Sequence, residues 1–426
     1  MKIIRLIILI FTLGLGFTTP TIAGSIRYTI ATTPWEEGMG NHRAIIDVPA
    51  AGNVAHLNFE WRRHDALVSN RQFIIVNSST NQIVQNIFRK NVDNEHCELF
   101  FGPIDAGIYY FYYLPYKVVP EDWGSFKTDY LPIEPAPDAT WVTTNNLSGS
   151  GINIIEAICS EVQARTEFDS FYPMEVIATE AEKYAYTLAN SGEFLIFTED
   201  RQYPIRMLDN IPQKWLLNPP SPKFTGNADK NEYYTFQLGL WAFKNDVSNV
   251  TIEFGTMVGS SYILPASSMT CFNTGGIDPS GKPFSKTVNV PKSKVQPLWI
   301  GVDLPKDIPS GKYAGKLTIK TGNSGQKEID IVINVSDIVL DDRGDSDAWR
   351  HSRLRWLNSS IGIDDNNVLP YSPIRVINDK SLDLSGKELI LNESGLPASI
   401  KVYGEEVLSA PIVFSISSGS GPLKFT

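Results

Sequence analysis

From Val54 to Trp61 the side chains alternate: Ala55, Leu57, Phe59 and Trp61 are apolar, while His56, Asn58 and Glu60 are polar. A period of two puts successive side chains on opposite faces of an extended chain, so this stretch predicts a strand with one buried face and excludes a helix. The pattern returns in short runs at Phe73 to Val76, Ile83 to Phe88, Cys97 to Phe101 and Gly107 to Leu114. Turn-forming clusters such as Asn77-Ser-Ser-Thr-Asn81 and Gly102-Pro103 separate them. Strands recurring at about 8–12 residues between such turns predict a sandwich or barrel. We therefore expect an N-terminal β-sandwich over 24–139, closed by Pro132, Pro135 and Pro137 in an extended linker.

Beyond it the expected organisation has three further parts. An α/β connector over 140–222 contains a helix at about 152–166, where Ile155, Ile158, Cys159 and Val162 are spaced i, i+3, i+4, i+7. It also contains a helix opened by the capping box Thr179/Glu182, with Ala181, Tyr184, Ala185 and Leu188 as its inner face. An immunoglobulin-like sandwich follows over 223–337. Phe236, Leu238, Leu240 and Ala242 mark one of its buried faces, and Ile329, Ile331, Ile333 and Val335 mark another. Within it, Leu298 to Leu304 and Lys312 to Ile319, joined across Pro305, Pro309 and Gly311, predict a hairpin. The last stretch, 338–426, reads as an incomplete β-rich domain. The fold class is thus mainly β: tandem immunoglobulin-like or jelly-roll-type sandwiches, a small α/β connector, and the start of a further β-domain.

The first residues set the compartment. Lys2 and Arg5 precede an apolar run from Leu6 to Phe17, and small residues around Ala23 offer a cleavage site, so 1–23 reads as a secretory signal peptide. Export to the periplasm or the medium is the expectation, with no membrane anchor after cleavage. The chain carries 37 Lys+Arg against 47 Asp+Glu, a net charge of −10; loss of Lys2 and Arg5 makes it 35 − 47 = −12. That balance argues against a nucleic-acid partner, whose phosphates call for basic surface. Cys97, Cys159 and Cys271 are odd in number and widely spaced, which excludes a disulfide scaffold and favours buried thiols.

The chain lacks GxSxG, HExxH, P-loop and GxGxxG signatures, and its five histidines show no metal-ligand spacing, so no cofactor, metal or catalytic residue is assigned. The adjacent acids Glu199-Asp200 and Asp364-Asp365 read as turn or surface charges, because adjacency does not place two carboxyls across a sugar. Aromatic residues supply the candidate carbohydrate-binding set. Tyr110, Tyr112 and Tyr116 belong to the run Tyr109 to Tyr116, and Trp61 ends a strand before Arg62-Arg63-His64-Asp65. Packing under a neighbouring element is the competing, and favoured, role for the run. Arg62 and Arg63 could bind a carboxylate or hold an interdomain ion pair, and the ion pair is the expectation; the Trp349-Arg350…Arg355-Trp356 cluster is likewise expected to form an internal joint. Arg343-Gly344-Asp345 is too short a match to signal adhesion.

Several segments resemble one family. Tyr233 to Gly239, Thr270 to Gly276 and Gly281 to Val288 look like the non-catalytic sandwich of secreted bacterial glycoside hydrolases of the family 123 type. Tyr109 to Tyr116, Phe171 to Ala178, Glu199-Asp-Arg201 with Pro204-Ile-Arg206, and Arg353 to Ser359 with Asp364-Asp365 are similar to the same group. The resemblance implies a hydrolase acting on a glycan or polysaccharide, with its acid and neighbouring carboxylate on a C-terminal (β/α)₈ barrel. No long strand–helix alternation follows residue 340, so these residues are expected to form the supporting portion of such an enzyme. The alternative is a non-catalytic carbohydrate-binding or cell-surface interaction protein.

Overall fold

The computed structural model describes residues 26–149, 153–218, 221–364, 366–418 and 421–423. The expected signal peptide and Asp365 lie outside the described residues. The fold is mainly β, in tandem sandwiches. The described residues fall into two compact units, one within 26–276 and 285–355, the other within 277–284 and 356–423.

The first sandwich is built from β1 (Arg27–Ile30), β2 (His42–Val48), β3 (Val54–Phe59), β4 (Phe73–Asn77), β5 (Asn86–Val92), β6 (Cys97–Gly102) and β7 (Gly107–Tyr113). A projecting hairpin, β8 (Tyr116–Pro120) and β9 (Phe126–Tyr130), a short helix α1 (Ala139–Thr144) and the long strand β10 (Ile154–Ala164) complete it. The strand order is β4-β7-β2-β10-β3-β6-β5. β10 serves both layers: its first half runs parallel to β3, and its second half lies between β2 and β1. The predicted alternation holds in β3 and just beyond it, with Ala55, Leu57, Phe59 and Trp61 all in the core.

The helix expected at 152–166 is this strand β10. A β-bulge between Cys159 and Glu161 inserts one residue, so the inward positions run Ala157, Cys159, Val162, Ala164, and the two-residue period slips by one at the bulge. That slip creates an i, i+3 spacing which imitates a helix; Ile158, assigned to the helical stripe, is 64% exposed. β-Branched Ile154, Ile155, Ile158 and Val162 favour the extended form.

The predicted connector shrinks accordingly. Between the sandwiches lie α2 (Glu180–Ala189), β11 (Leu195–Asp200) and α3 (Gln213–Leu217), but β11 pairs antiparallel with β13 and belongs to the second sandwich. The capping box of α2 is present: Glu182 N–H donates to Thr179 Oγ1 at 3.2 Å and Glu182 accepts from Thr179 N–H at 2.8 Å. Its expected inner face is not the packed one. Tyr184 and Leu188 are exposed, and the helix is held through Tyr186 against Trp241 and Glu182 against Arg62.

The second sandwich uses β12 (Lys223–Lys230), β13 (Tyr233–Trp241), β14 (Thr251–Phe254), β15 (Met257–Val258), β16 (Ile263–Leu264), β17 (Met269–Cys271), β20 (Val295–Asp303), β21 (Gly311–Lys320) and β22 (Gln326–Val339), whereas β18 (Gly275–Ile277) and β19 (Pro283–Ser285) pair only with each other and residues 277–284 belong to the second unit. One layer is β11-β13-β20-β17; the other is β12-β22-β21-β15-β16 with β14 on β21. All nine residues of β13 are buried. Tyr234, Phe236, Leu238 and Leu240 face the opposite layer, while Gly239 faces Trp215, whose ring stacks on Phe197 at 4.4 Å. A Cβ at Gly239 would stand 2.4 Å from that indole, so glycine is required there.

The hairpin predicted across Pro305–Gly311 does not form. β20 and β21 lie in different layers, because Leu304 and Ile308 carry the link through the core between them. The hairpin partner of β21 is β22. Residues 341–355 also stay with this sandwich. Buried Glu232 accepts hydrogen bonds from Arg201 and from Arg350 Nη1 at 2.9 Å, as expected of an internal joint. Arg343 pairs with Asp303 and Asp345 with Arg355, so the Arg-Gly-Asp triplet is structural. Cys97, Cys159 and Cys271 are buried free thiols.

The second unit contains an antiparallel meander of β23 (Arg375–Asn378), β24 (Ser381–Leu384), β25 (Lys387–Leu391), β26 (Pro397–Val402) and β27 (Glu405–Glu406). Its register aligns Arg375, Asp383, Glu388, Lys401 and Glu406 on one face, and Val376, Leu382, Leu389 and Ile400 on the other. No described side chain of residues 356–416 is buried. The β-rich unit therefore starts near 356 and not at 338, and besides the meander it holds residues 277–284 of the β18–β19 hairpin and a short antiparallel pair, Ile416–Ser418 with Gly421–Leu423.

Candidate functional site

At one end of the first sandwich, the chain leaves β3 and β7 and enters β2. Gly40, at φ 96°, precedes β2 so closely that a Cβ would lie 2.7 Å from the Tyr113 carbonyl oxygen. After β3, Arg62 adopts a left-handed φ of 51°. Backbone bonds hold it there: Arg62 N–H to Glu95 O at 3.3 Å, and Arg63 N–H to Asn94 O at 2.7 Å. The turn aims the two guanidinium groups apart. Arg62 binds Glu60, Glu182 and the Ile177 carbonyl, tying the sandwich to α2. Arg63 binds Asp65 Oδ2 through Nε at 2.8 Å and Nη2 at 2.6 Å.

Around Arg63 lies a cavity of about 160 Å³. His42, Asp65 and Tyr113 line it on the sandwich side, Glu175 on the side of the following loop, and Tyr116 and Tyr130 at the base of the β8–β9 hairpin. His42 Nε2 donates to the Asp169 carbonyl at 2.7 Å, which leaves Nδ1 facing Arg63 Nη2 at 3.4 Å as an acceptor. Burial, reinforced by the Arg63 charge, lowers the His42 pKa to about 3, so the ring is neutral. Burial alone would raise the Asp65 carboxyl; the adjacent Arg63 outweighs it and holds the group below its ordinary value. Glu175 is likewise held low, burial being outweighed by His64 at 3.0 Å and Arg206 at 3.2 Å. Neither carboxyl keeps a proton near neutrality, so neither can act as a general acid. Arg63 Nη1 and the Tyr113 hydroxyl are buried, with no hydrogen-bond partner among the described residues.

A larger cleft of about 740 Å³ opens where β10 departs from β3, lined by Tyr28, Phe59, Arg62, His96 and Cys159. The Arg62 charge there is already balanced, and burial pushes the Cys159 thiol up to about 12, which makes it unreactive. Among the described residues no group of three or more His, Cys, Asp or Glu could hold a metal.

The sequence-selected aromatics separate. Trp61 is in the core, its Nε1 donating to Asp93 O at 2.7 Å, and offers no open ring face. Tyr110 and Tyr112 lie on the outer face of β7 under Arg43, whose guanidinium sits 3.8 Å from the Tyr110 centroid and 3.1 Å from the Tyr112 hydroxyl. Their face is covered by this chain's own side chains, including Trp35 against Tyr112. Tyr116 alone of the set reaches the cavity. Tyr130, Tyr113 and Glu175 were not singled out, and neither was the hairpin's Trp123, which is fully exposed beside exposed Phe126. Glu199 accepts from Trp215 Nε1 and Lys214, each at 2.7 Å, and Asp200 accepts from the Tyr234 hydroxyl; this acid pair is structural.

Residues 33–165 match the family model for the glycoside hydrolase 123 N-terminal domain. The first sandwich is a glycoside hydrolase 123-like N-terminal region. The matched segment ends one residue past β10, in keeping with that strand's place in the sheet; of the segments read as resembling the family, Tyr109 to Tyr116 lies within it and those between Tyr233 and Val288 fall on the second sandwich. A family 123 glycoside hydrolase from Clostridium perfringens, described for glycolipid glycan hydrolysis, is 16% identical at a TM-score of 0.27, covering 34% of this chain and 28% of that one. An endo-fucoidan hydrolase of glycoside hydrolase family 107 is 10% identical over 76% of this chain and 30% of that one, TM-score 0.19. The sialic acid binding region of a Streptococcus sanguinis SK1 adhesin is 12% identical over 84% and 95%, TM-score 0.18. The chain spans less than a third of the clostridial enzyme's length. No curated protein matches it.

Proposed function

We propose that these residues are the non-catalytic, N-terminal portion of a secreted glycoside hydrolase acting on a glycan, and that they support a catalytic barrel lying beyond them. The glycoside hydrolase 123-like region over 33–165 carries this reading. Two features support it. The described sheets are chiefly antiparallel sandwiches rather than the eightfold strand–helix alternation of a barrel, and both carboxyls of the cavity are fixed as anions. The leader expected over 1–23 supports export, and glycans are the partners that the family likeness suggests. The test is to express this chain and the product of the uninterrupted reading frame, and to assay release of reducing sugar from host and plant glycans. Release by the longer product alone is expected. Release by the 426-residue chain, or a reading frame that stops at Thr426, would overturn the reading. N-terminal sequencing of exported protein should begin near Gly24.

A further inference from the structure

We propose that the cleft beside Trp349 on the second sandwich binds a short neutral stretch of glycan, with one sugar ring on the Trp349 indole and its hydroxyls on the Asn227 and Asn334 amides. The proposal rests on the function proposed above only for the source of the ligand, the glycan on which the whole enzyme acts.

The floor of the cleft follows from strand register. β12 runs parallel to β22 with Asn227 beside Asn334 and Ala228 beside Val335. Ala228 and Val335 belong to the core, so the alternate residues Asn227, Asp229, Asn334 and Ser336 face outward. Arg201 and the turn Ala348–Arg350, through Trp349 and Arg350, complete a lining around about 370 Å³. That volume is about twelve waters' share of liquid, room for two linked sugar rings, and falls within the range of about 300–1,000 Å³ usual for small-ligand sites.

Trp349 is a fixed platform. Its neighbour Arg350 is anchored by Asp347 at 2.8 Å, Glu232 at 2.9 Å and Asp229 at 3.1 Å. The Arg201 and Arg350 guanidiniums stand 4.9 and 4.6 Å from the indole centroid, and both bind one oxygen, Glu232 Oε1. Sharing that oxygen sets them side by side, so they cannot cover opposite faces of the ring, which stays 50% exposed. A rigid, open aromatic surface edged by polar groups matches a pyranose, whose C–H face is apolar and whose rim carries hydroxyls.

The polar groups here reach solvent and have bonding capacity left. Asn227 and Asn334 are both exposed. The bond between them, Asn334 Nδ2 to Asn227 Oδ1 at 3.1 Å, leaves the Asn227 N–H groups and the Asn334 carbonyl oxygen without a partner among the described residues. The Trp349 Nε1–H has none among them either. An amide donor beside an amide acceptor suits a hydroxyl, which both donates and accepts. The charges of the lining are paired with one another, Arg350 with Asp347 and Asp229, and Arg201 with Glu232. A charged ligand would therefore meet no unpaired opposite charge in the cleft, and a neutral one fits it best.

The test titrates the whole chain with cellobiose, lactose, mannobiose and diacetylchitobiose, and with glucuronate as the charged arm, by calorimetry and NMR. At least one neutral disaccharide should bind in the millimolar range or tighter, and more tightly than glucuronate. It should also shift the indole N–H resonance that Trp349→Phe removes. Trp349→Ala should weaken binding about tenfold or more. Asn334→Ala, at an exposed position, should keep the parent's melting temperature and weaken binding about threefold to tenfold, the loss of one hydrogen bond. Trp123→Ser, which removes the fully exposed indole of the first sandwich, should bind as the parent does. Binding of no neutral disaccharide, equal or tighter binding of glucuronate, parental affinity in Trp349→Ala or Asn334→Ala, or a loss that follows Trp123 would each overturn the proposal. Hydrolysis by the longer gene product is a separate readout: hydrolysis without binding here sinks the site and spares the enzyme reading, and binding without any barrel does the reverse.

Discussion

His42 should make the first sandwich sensitive to mild acid. Its imidazole is enclosed by Phe171, Tyr113 and Arg63, and its pKa falls to about 3, against about 6.5 for a free histidine, through burial and then the Arg63 charge. The unfolded chain therefore takes up a proton near pH 6.5 that the folded chain refuses until about pH 3. Stability rises with pH wherever the unfolded state binds more protons, so this group's contribution is complete above its unfolded pKa and is lost as pH falls from there towards 3. Integrating from about pH 7 to about pH 4.5 gives a loss of about 2.5 kcal/mol from this residue. Many carboxylates also titrate in that window, so the measurement is a difference of differences. Denaturant unfolding of the parent and of His42→Phe at both pH values should show the variant losing about 2.5 kcal/mol less, whatever the substitution costs at neutrality. Nitrogen-detected NMR should find the parent's ring still neutral at pH 4.5. Equal losses in the two proteins, or a His42 that protonates near pH 6, would refute the account of how this ring is enclosed.

Three further outcomes follow from the packing. Gly239→Ala drives a methyl group to 2.4 Å from Trp215, whose ring is fixed by Phe197 and by its bond to Glu199, so equilibrium unfolding should show a loss of about 1–3 kcal/mol; an unchanged midpoint would mean the α3 cover is loose. Glu232→Gln keeps the shape but removes the anion shared by Arg201, Arg350 and the Asp229 N–H, and should cost about 3–5 kcal/mol by the same measurement. Trp123→Ser, at a fully exposed hairpin tip, should leave stability within about 0.5 kcal/mol, and a larger fall in the thermal midpoint would show that the indole is packed.

The core was legible because alternation reports which face of a strand is buried, and the phase read for β3, β13 and β22 is the phase found. It failed where the period itself was broken. In β10 one extra residue at the bulge converted a strand's spacing into a helix's, and between β20 and β21 a proline-rich link that looked like a turn instead carries Ile308 through the core. For α2 the cap was visible and the face was not, since the helix is anchored by Glu182 on Arg62, a contact 120 residues apart in sequence.

The candidate site was hidden for a different reason. Its groups come from residues 41–42, 63–65, 113–116, 130 and 175, the ends of separate elements, so no spacing along the chain brings them together. Tyr113 shows what alternation can and cannot say. With Tyr109 and Phe111 it belongs to the inward phase of β7, and by phase alone it is one more core aromatic. At the strand's last residue its ring packs inward 4.9 Å from the Arg63 guanidinium, and its hydroxyl is buried with it. Phase decides burial; which groups surround a buried polar tip is decided by residues far away in the sequence. Tyr109, four residues earlier in the same phase, shows the other case: its hydroxyl is satisfied within the chain, accepting from Asp105 N–H at 2.9 Å, and lines no cavity described here.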